Sequence, residues 1–381
     1  VININSKLPH VGTTIFSIMS GLAAEHNAIN LSQGFPDFDC DPELIQLVFD
    51  EMKKGNNQYA PMPGILSLRE TISEKIDYLH GSYYHPETEI TITSGGTQAI
   101  YTAISAILKQ GDEVIIFEPA YDSYAPTIKA LGGLVKSFEM SPPEYKIDWE
   151  MVKKLVSANT SMIIINSPHN PTGTILKEND IKELINITHG TDIIIVSDEV
   201  YEHIIYDGKK HLSLATFPEL KERTFIIASF GKLFHSTGWK TGYCCAPEKL
   251  MKEFRKIHQF MVFSVNTPLQ LAFNTYLKNR ETYTGLSSFF QNKRDLFRSL
   301  MRETKFTLLN CEGSYFQTVS YENISDEADT DLALRLVKDY KVAAIPNSAF
   351  YIKGTDYKTL RFCFAKRQET LEKSVENLLK L

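Results

Sequence analysis

"TITSGGTQAIYTAISAIL", residues 91 to 108, is a β-branched run, a Gly-Gly-Thr turn and a stretch whose apolar residues return at helical spacing. That strand-to-helix pattern repeats up to about residue 246. Its strand candidates are "EITIT" (89–93), "DEVIIFE" (112–118), "GLVKSFE" (133–139), "SMIIIN" (161–166), "DIIIVSD" (192–198), "TFIIAS" (224–229) and "TGYCCA" (241–246). Runs apolar on both faces, separated by helical patterns such as "TQAIYTAISAILKQG", describe a buried, mainly parallel sheet. The expected fold class is α/β, an α/β/α sandwich with the sheet in the middle. After residue 247 the texture changes to long helical patterns. Short strands "SYFQTVSY", "KVAAIP" and "TLRFCF" follow, and a closing helix runs from about 367 to 381. A chain of 381 residues exceeds what one core sustains. The expected partition is a large domain over 41–280 and a smaller α+β domain built from 1–40 and 281–381.

Composition narrows the function classes. Apolar residues make up 43% and charged residues 23%, with a net charge of -6 and no long block of like charge. That balance argues against a nucleic-acid or polybasic membrane surface. The five cysteines, Cys40, Cys244, Cys245, Cys311 and Cys363, form no C-x-x-C pair, which predicts a reducing, cytoplasmic setting. Neither a signal peptide nor a membrane span is expected, since "VININSKLPHVGTTIF" lacks a continuous apolar core and the longest apolar runs are strand length.

The chemistry-bearing words fall where strands end, which is where doubly wound sheets place ligands. Gly95 and Gly96 allow close approach to backbone N–H groups at a helix start, an arrangement suited to phosphate. Taken alone, this turn reads equally as a plain connection. "DIIIVSDEVYEH" sets Asp198 at the end of an apolar strand, where a carboxylate needs a cation or strong donor, with Tyr201 three residues on. A helix-capping Asp is the bland alternative. "NSPHNPTGTI", residues 166 to 175, imposes a turn that would fix Asn170.

"IIASFGKLFHSTGWKTGYC", residues 226 to 244, puts Ser229, Lys232 and Lys240 beyond another strand. A lysine desolvated near a second cation becomes a nucleophile toward carbonyls, although a single loop lysine is far more often a solvated charge. In "TLRFCFA", Arg361 stands in an apolar strand, where its fork must meet a carboxylate, either a ligand's or a protein acid's.

Several alternatives fall away. No G-x-G-x-x-G follows a strand, and "FGKLF" lacks the first glycine and the Ser/Thr of a phosphate-binding P-loop. "DFDCD" begins like a calcium loop, but Pro42 and Val48 stand where Gly and Glu are needed. With neither HExxH nor paired cysteines, no catalytic metal is expected, and a G-x-S-x-G nucleophile elbow is missing.

Taken together, the words describe a site for a phosphate, a ring with a basic nitrogen and a carboxylate-bearing substrate beside a lysine. The sequence resembles the fold-type I pyridoxal-phosphate aminotransferases of class I, most of all the bacterial methionine aminotransferases and the kynurenine aminotransferase group. The resemblance rests on "NLSQGFPDF", "NQYAPMPGILSLRE", "PHNPTG", "SDEVYEH", "SFGKLFHSTGWKTGYC" and "LRFCFAK", and runs from about residue 8 to the C-terminus.

It implies that Lys232 carries pyridoxal 5'-phosphate as a Schiff base and, once released, moves the proton from the substrate α-carbon. Asp198 would pair with the pyridine nitrogen, Asn170 and Tyr201 would bond the phenolic oxygen, and Tyr121 would stack on the ring. Gly96, Thr97, Ser229 and Lys240 would form the phosphate cup, with Gln98 a further candidate. Arg361 would clamp the substrate carboxylate, helped by Gly34 and Asn170. Tyr59 would reach the phosphate of a partner subunit, making the active unit a homodimer.

One departure is Lys240, where many class I members place an arginine. It keeps the positive charge without the bidentate fork. The second arginine of aspartate-specific relatives has no clear counterpart. Instead Phe16, Tyr59, Tyr121 and Phe263 suggest an aromatic, sulfur-tolerant pocket for methionine or aromatic amino acids, kynurenine included, with a 2-oxo acid acceptor. A cysteine-conjugate β-lyase on the same fold, or a non-catalytic amino-acid sensor, remain the alternatives.

Overall fold

The seven β-branched runs pair into one sheet. In spatial order its strands are Ile90–Thr93, Gly242–Cys245, Thr224–Ser229, Ile194–Asp198, Thr160–Asn166, Glu113–Glu118 and Leu134–Glu139. Gly242–Cys245 lies antiparallel to both its neighbours, and the other pairings are parallel. This computed structural model describes residue 2 and residues 4 to 381. Residues 1 and 3, which fall in the expected 1–40 segment, lie outside the described residues.

Strand alternation divides the apolar residues between two layers. Ile163, Ile165, Ile195, Ile226 and Cys245 enter one core, whereas Met162, Ile164, Val196, Ile227 and Cys244 enter the other. Ala99, Ile100, Ala103 and Ile104 of the Gly95–Ile107 helix cover the second face, together with Met251 and Phe254 of the Glu248–Met261 helix. Gly242 is demanded by its neighbour, since a Cβ there would lie 2.5 Å from the Ala228 carbonyl oxygen.

A second, antiparallel sheet follows in the order Ile345–Pro346, Thr359–Cys363, Phe316–Ser320 and Thr307–Leu308. The expected single strand "KVAAIP" is split. Val342–Ala343 pairs with Ile29–Asn30, and Ile345–Pro346 turns to the Thr359–Cys363 strand, so one apolar run serves two sheets. The segment before residue 40 is tied to the C-terminal part through that pairing and through the Cys363 N–H bond to the Leu31 carbonyl. Among the described residues, no helix is long and apolar enough to cross a membrane.

Burial holds four histidines, His169, His203, His235 and His258, well below their ordinary value, each at about 4. A histidine whose folded pKa is depressed gives stability that is full above the unfolded value, near 6.5, and is lost as pH falls toward 4. Each proton so taken up on unfolding tilts stability by about 1.4 kcal/mol per pH unit. Asp198, raised to about 6, returns one proton below that pH. The melting temperature is therefore expected to fall between pH 7.5 and 5, as read by scanning calorimetry.

Candidate active site

The carboxyl ends of the parallel strands open into a cavity of about 260 Å³. Its walls include Gly34, Gly96, Thr97, Tyr121, Asn170, Asp198, Tyr201, Ser229, Lys232, Lys240, Arg361 and Phe16, brought together from both sheets. Tyr59, Phe263 and Gln98 are not in its wall. Tyr59 is 82% exposed and meets Phe263 edge to face at 5.3 Å on the surface. Gln98 turns back into its helix, accepting from the Ser94 N–H at 2.8 Å and donating to Thr102 Oγ1 at 2.6 Å. Of the expected aromatic pocket, Phe16 and Tyr121 line the cavity, joined by Phe316.

Lys232 follows directly from the Thr224–Ser229 strand, in the short helix Phe230–Leu233. Its Nζ donates to the Gly34 carbonyl at 2.9 Å, a carbonyl that also accepts from Tyr315 Oη at 2.6 Å. Burial lowers Lys232 to about 8; Cys363 opposes that shift, and Arg361 and Lys240 add to it. A lysine tuned this way is about one-tenth neutral at pH 7, far more than a solvated lysine, and both nucleophilic attack and proton abstraction require the neutral amine.

Asp198 ends its strand at 4% exposure. Tyr124 Oη donates to its Oδ2 at 2.6 Å and the Val200 N–H to its Oδ1 at 3.3 Å. Burial nevertheless raises the carboxyl to about 6, with the tyrosine bond working against the shift. Asn166 ties this strand end to the next turn. Its Nδ2 donates to the Asp198 carbonyl at 2.8 Å and its Oδ1 accepts from the Asn170 N–H at 2.9 Å.

The Gly95–Ile107 helix presents its first turn to the same cavity. Gly95 has φ +77°, and a Cβ added to it would sit 3.4 Å from Lys240 Nζ; one on Gly96 would meet Val200 Cγ1 at 3.0 Å. The two glycines therefore let an anion approach the helix N-terminus beside the Lys240 ammonium and the Ser229 hydroxyl. Lys240 occupies the left-handed region at φ 51° and ψ 50°.

Arg361 is fully buried at the centre of its strand. Nη1 donates to Asn170 Oδ1 at 2.7 Å and Nη2 to the Ser32 carbonyl at 2.5 Å, and the guanidinium lies 3.9 Å from the Phe316 ring centroid. Its Nε has no partner among the described residues. Burial brings Arg361 down to about 10. The guanidinium is a cation held by neutral acceptors, which leaves room for an anionic partner.

Four residues escape sequence reading: Tyr124, Asn166 and Tyr315, and Gln33, which lines the cavity and donates from Nε2 to the Phe16 carbonyl at 3.2 Å. Asn166 alone carried a signal, as the one polar residue at the end of "SMIIIN". Among the described residues, no group of three or more His, Cys, Asp or Glu is arranged to hold a metal.

Comparison with known proteins decides the family. The model for "Aminotransferase class I and II" matches residues 26–378. The chain belongs to the class I and II aminotransferases. It is 45% identical to the Escherichia coli methionine aminotransferase over 377 residues, covering 99% of this chain and 98% of that protein. It is 33% identical to a Dictyostelium discoideum kynurenine–oxoglutarate transaminase, covering 97% and 94%. A solved Escherichia coli structure described as having a methionine aminotransferase function superposes with a TM-score of 0.98 at 44% identity, covering all of both chains.

The α/β fold expected from the strand pattern and the aminotransferase fold implied by the resemblance are thus shown, and the chain is an enzyme that transfers amino groups between amino acids and 2-oxo acids. Class I aminotransferases depend on pyridoxal phosphate, and the cavity fits that group. Asp198 is a buried carboxylate served by a phenol and a peptide N–H. A Cβ on Gly96 would press on Val200 Cγ1 and one on Gly95 would crowd Lys240 Nζ, and Arg361 Nε is unpartnered among the described residues.

Proposed function

We propose that this aminotransferase moves the amino group of methionine and of aromatic amino acids, kynurenine included, to a 2-oxo acid, with Lys232 as the attachment point of pyridoxal 5'-phosphate. The observation carrying this reading is that a lysine lowered to about 8, a buried carboxylate and a half-satisfied buried arginine face one cavity with Phe16, Tyr121 and Phe316 in its walls. Aromatic faces suit a thioether or an aryl side chain. The names of the relatives at 45% and 33% identity support the same substrates.

In this reading Arg361 holds the substrate carboxylate, and Asn170 supports its guanidinium. Lys232 Nζ takes the proton from the substrate α-carbon, with the Gly34 carbonyl orienting its N–H. Bound pyridoxal phosphate supplies a ring that accepts the electron pair left on that carbon. Asp198 would keep the ring nitrogen protonated, Asn170 and Tyr201 would bond the phenolic oxygen, and Tyr121 would lie against the ring. Gly96, Thr97, Ser229 and Lys240 would hold the phosphate.

The active unit is proposed to be a homodimer in which Tyr59 reaches the partner's phosphate. Its 82% exposure, against a Phe263 ring that is itself exposed, gives a face for a second copy to cover. Segments 41–280 and 1–40 with 281–381 serve as the large and small domains, the latter bringing Phe16 and Arg361 to the cavity. Five free thiols agree with a cytoplasmic setting.

Incubation with methionine and 2-oxoglutarate should yield glutamate, with phenylalanine, tyrosine and kynurenine also turned over. Ammonia and pyruvate from a cysteine conjugate, with no amino transfer from methionine, would make the protein a β-lyase instead. Tyr124→Phe should weaken pyridoxal phosphate binding about tenfold, as expected for losing one hydrogen bond to a charged group. The Asp198 carboxyl then rises further, so the loss should widen below pH 7 in a fluorescence titration.

A further inference from the structure

The loop that bears Asp198 and Tyr201 has a second set of acids on the same three-residue spacing. Glu199 and Glu202, one position further along in "SDEVYEH", turn away from the cavity into the protein. Glu202 Oε1 receives Lys75 Nζ at 2.7 Å and Tyr243 Oη at 3.2 Å, while His203 and His80 stand at 3.5 and 3.6 Å from its carboxylate. Glu199 Oε2 meets His211 Nε2 at 2.7 Å, and its Oε1 accepts from Ser197 Oγ at 2.8 Å and the Leu214 N–H at 3.1 Å. The Lys75 side chain is 1% exposed and belongs to the Leu66–His80 helix, 127 residues from Glu202 in sequence.

Burying two carboxylates and an ammonium carries a desolvation penalty that good geometry must offset. Such groups fix position better than they add stability. The turn is held by Glu202 N–H to the Glu199 carbonyl at 2.9 Å and Ile204 N–H to the Tyr201 carbonyl at 2.8 Å. Locking Glu199 and Glu202 on one side of this turn therefore sets where Asp198 and Tyr201 stand on the other.

We propose that Lys75, Glu202 and the Glu199–His211 pair are positioning residues, which aim Asp198 and Tyr201 at the cofactor through a buried ionic network on the far side of their loop. This inference rests on the cofactor-binding reading above. It assigns a task to buried charges that never touch the cavity.

The test compares wild type with Glu202→Gln and with Lys75→Met/Glu202→Met, in which the pair is replaced by apolar groups. Glu202→Gln strands a buried ammonium and should lose both melting temperature and pyridoxal phosphate affinity. The double variant should melt close to wild type, because an apolar pair restores packing. It should still bind pyridoxal phosphate roughly ten- to a hundredfold more weakly, the scale of a small misplacement of binding groups. Its KM for methionine should be unchanged, since Arg361 lies outside the network.

If the double variant recovers wild-type affinity along with its stability, the network only packs and the proposal falls. Should the double variant not fold, Glu199→Gln decides by the same titration, its Lys75–Glu202 pair being intact. Wild type is titrated first. If wild type itself fails to bind pyridoxal phosphate, the cofactor reading is overturned; if it binds and the folded variants bind equally well, the positioning role is overturned.

Discussion

Lys232→Ala should leave a folded protein whose transamination of methionine has fallen by about a thousandfold or more, the combined loss of a general base and a covalent attachment point. The side chain lines the cavity, and its one hydrogen bond among the described residues is to the Gly34 carbonyl. Removing a desolvated ammonium from there does not strand a buried carboxylate partner, so the melting temperature should hold within a few degrees. Lys232→Arg should be as inactive, since a guanidinium stays protonated and cannot act as nucleophile or base. Single-turnover measurements separate this effect from weaker substrate binding. Either variant retaining a tenth of wild-type kcat would remove Lys232 from the chemistry.

Arg361→Ala is expected to act on the other half of the reaction. Its guanidinium is fully buried, donates to Asn170 and the Ser32 carbonyl, and keeps Nε free of any partner among the described residues. Charge-assisted bonds to a carboxylate contribute about 1.5–3 kcal/mol each, so losing two should lower kcat/KM for methionine by roughly a hundredfold or more, chiefly through KM. Asn170 and Phe316 also lose a neighbour, and a fall in melting temperature accompanies the change. Arg361→Lys should recover part of the affinity, because an ammonium keeps the charge without the fork. An unchanged KM in the alanine variant would place the substrate carboxylate elsewhere.

The sheet was legible because its central strands are apolar on both faces. "SMIIIN" and "DIIIVSD" can be little else than central strands, and both pair as parallel neighbours. "KVAAIP" was harder, since nothing local says that one run changes partner midway. Site residues at strand ends were readable for the same topological reason: Asp198 and Ser229 end apolar strands, and Asn170 and Lys232 follow them. Tyr124 was not, although it stands three residues from Tyr121, because its role depends on a strand 74 residues away. Lys75 is the extreme case: its helix carries charges along its length, yet this side chain is buried against Glu202. Charge pairing across the fold leaves no periodic trace in a sequence.

The central claim is that Lys232 is the residue joined to the cofactor. Wild-type protein loaded with pyridoxal phosphate is reduced with borohydride, digested, and its modified peptide sequenced by mass spectrometry. A pyridoxyl phosphate adduct on Lys232, absent from Lys232→Ala, is the predicted result. An adduct on Lys240, or reduction that leaves Lys232 unmodified while the protein still transaminates methionine, would contradict it.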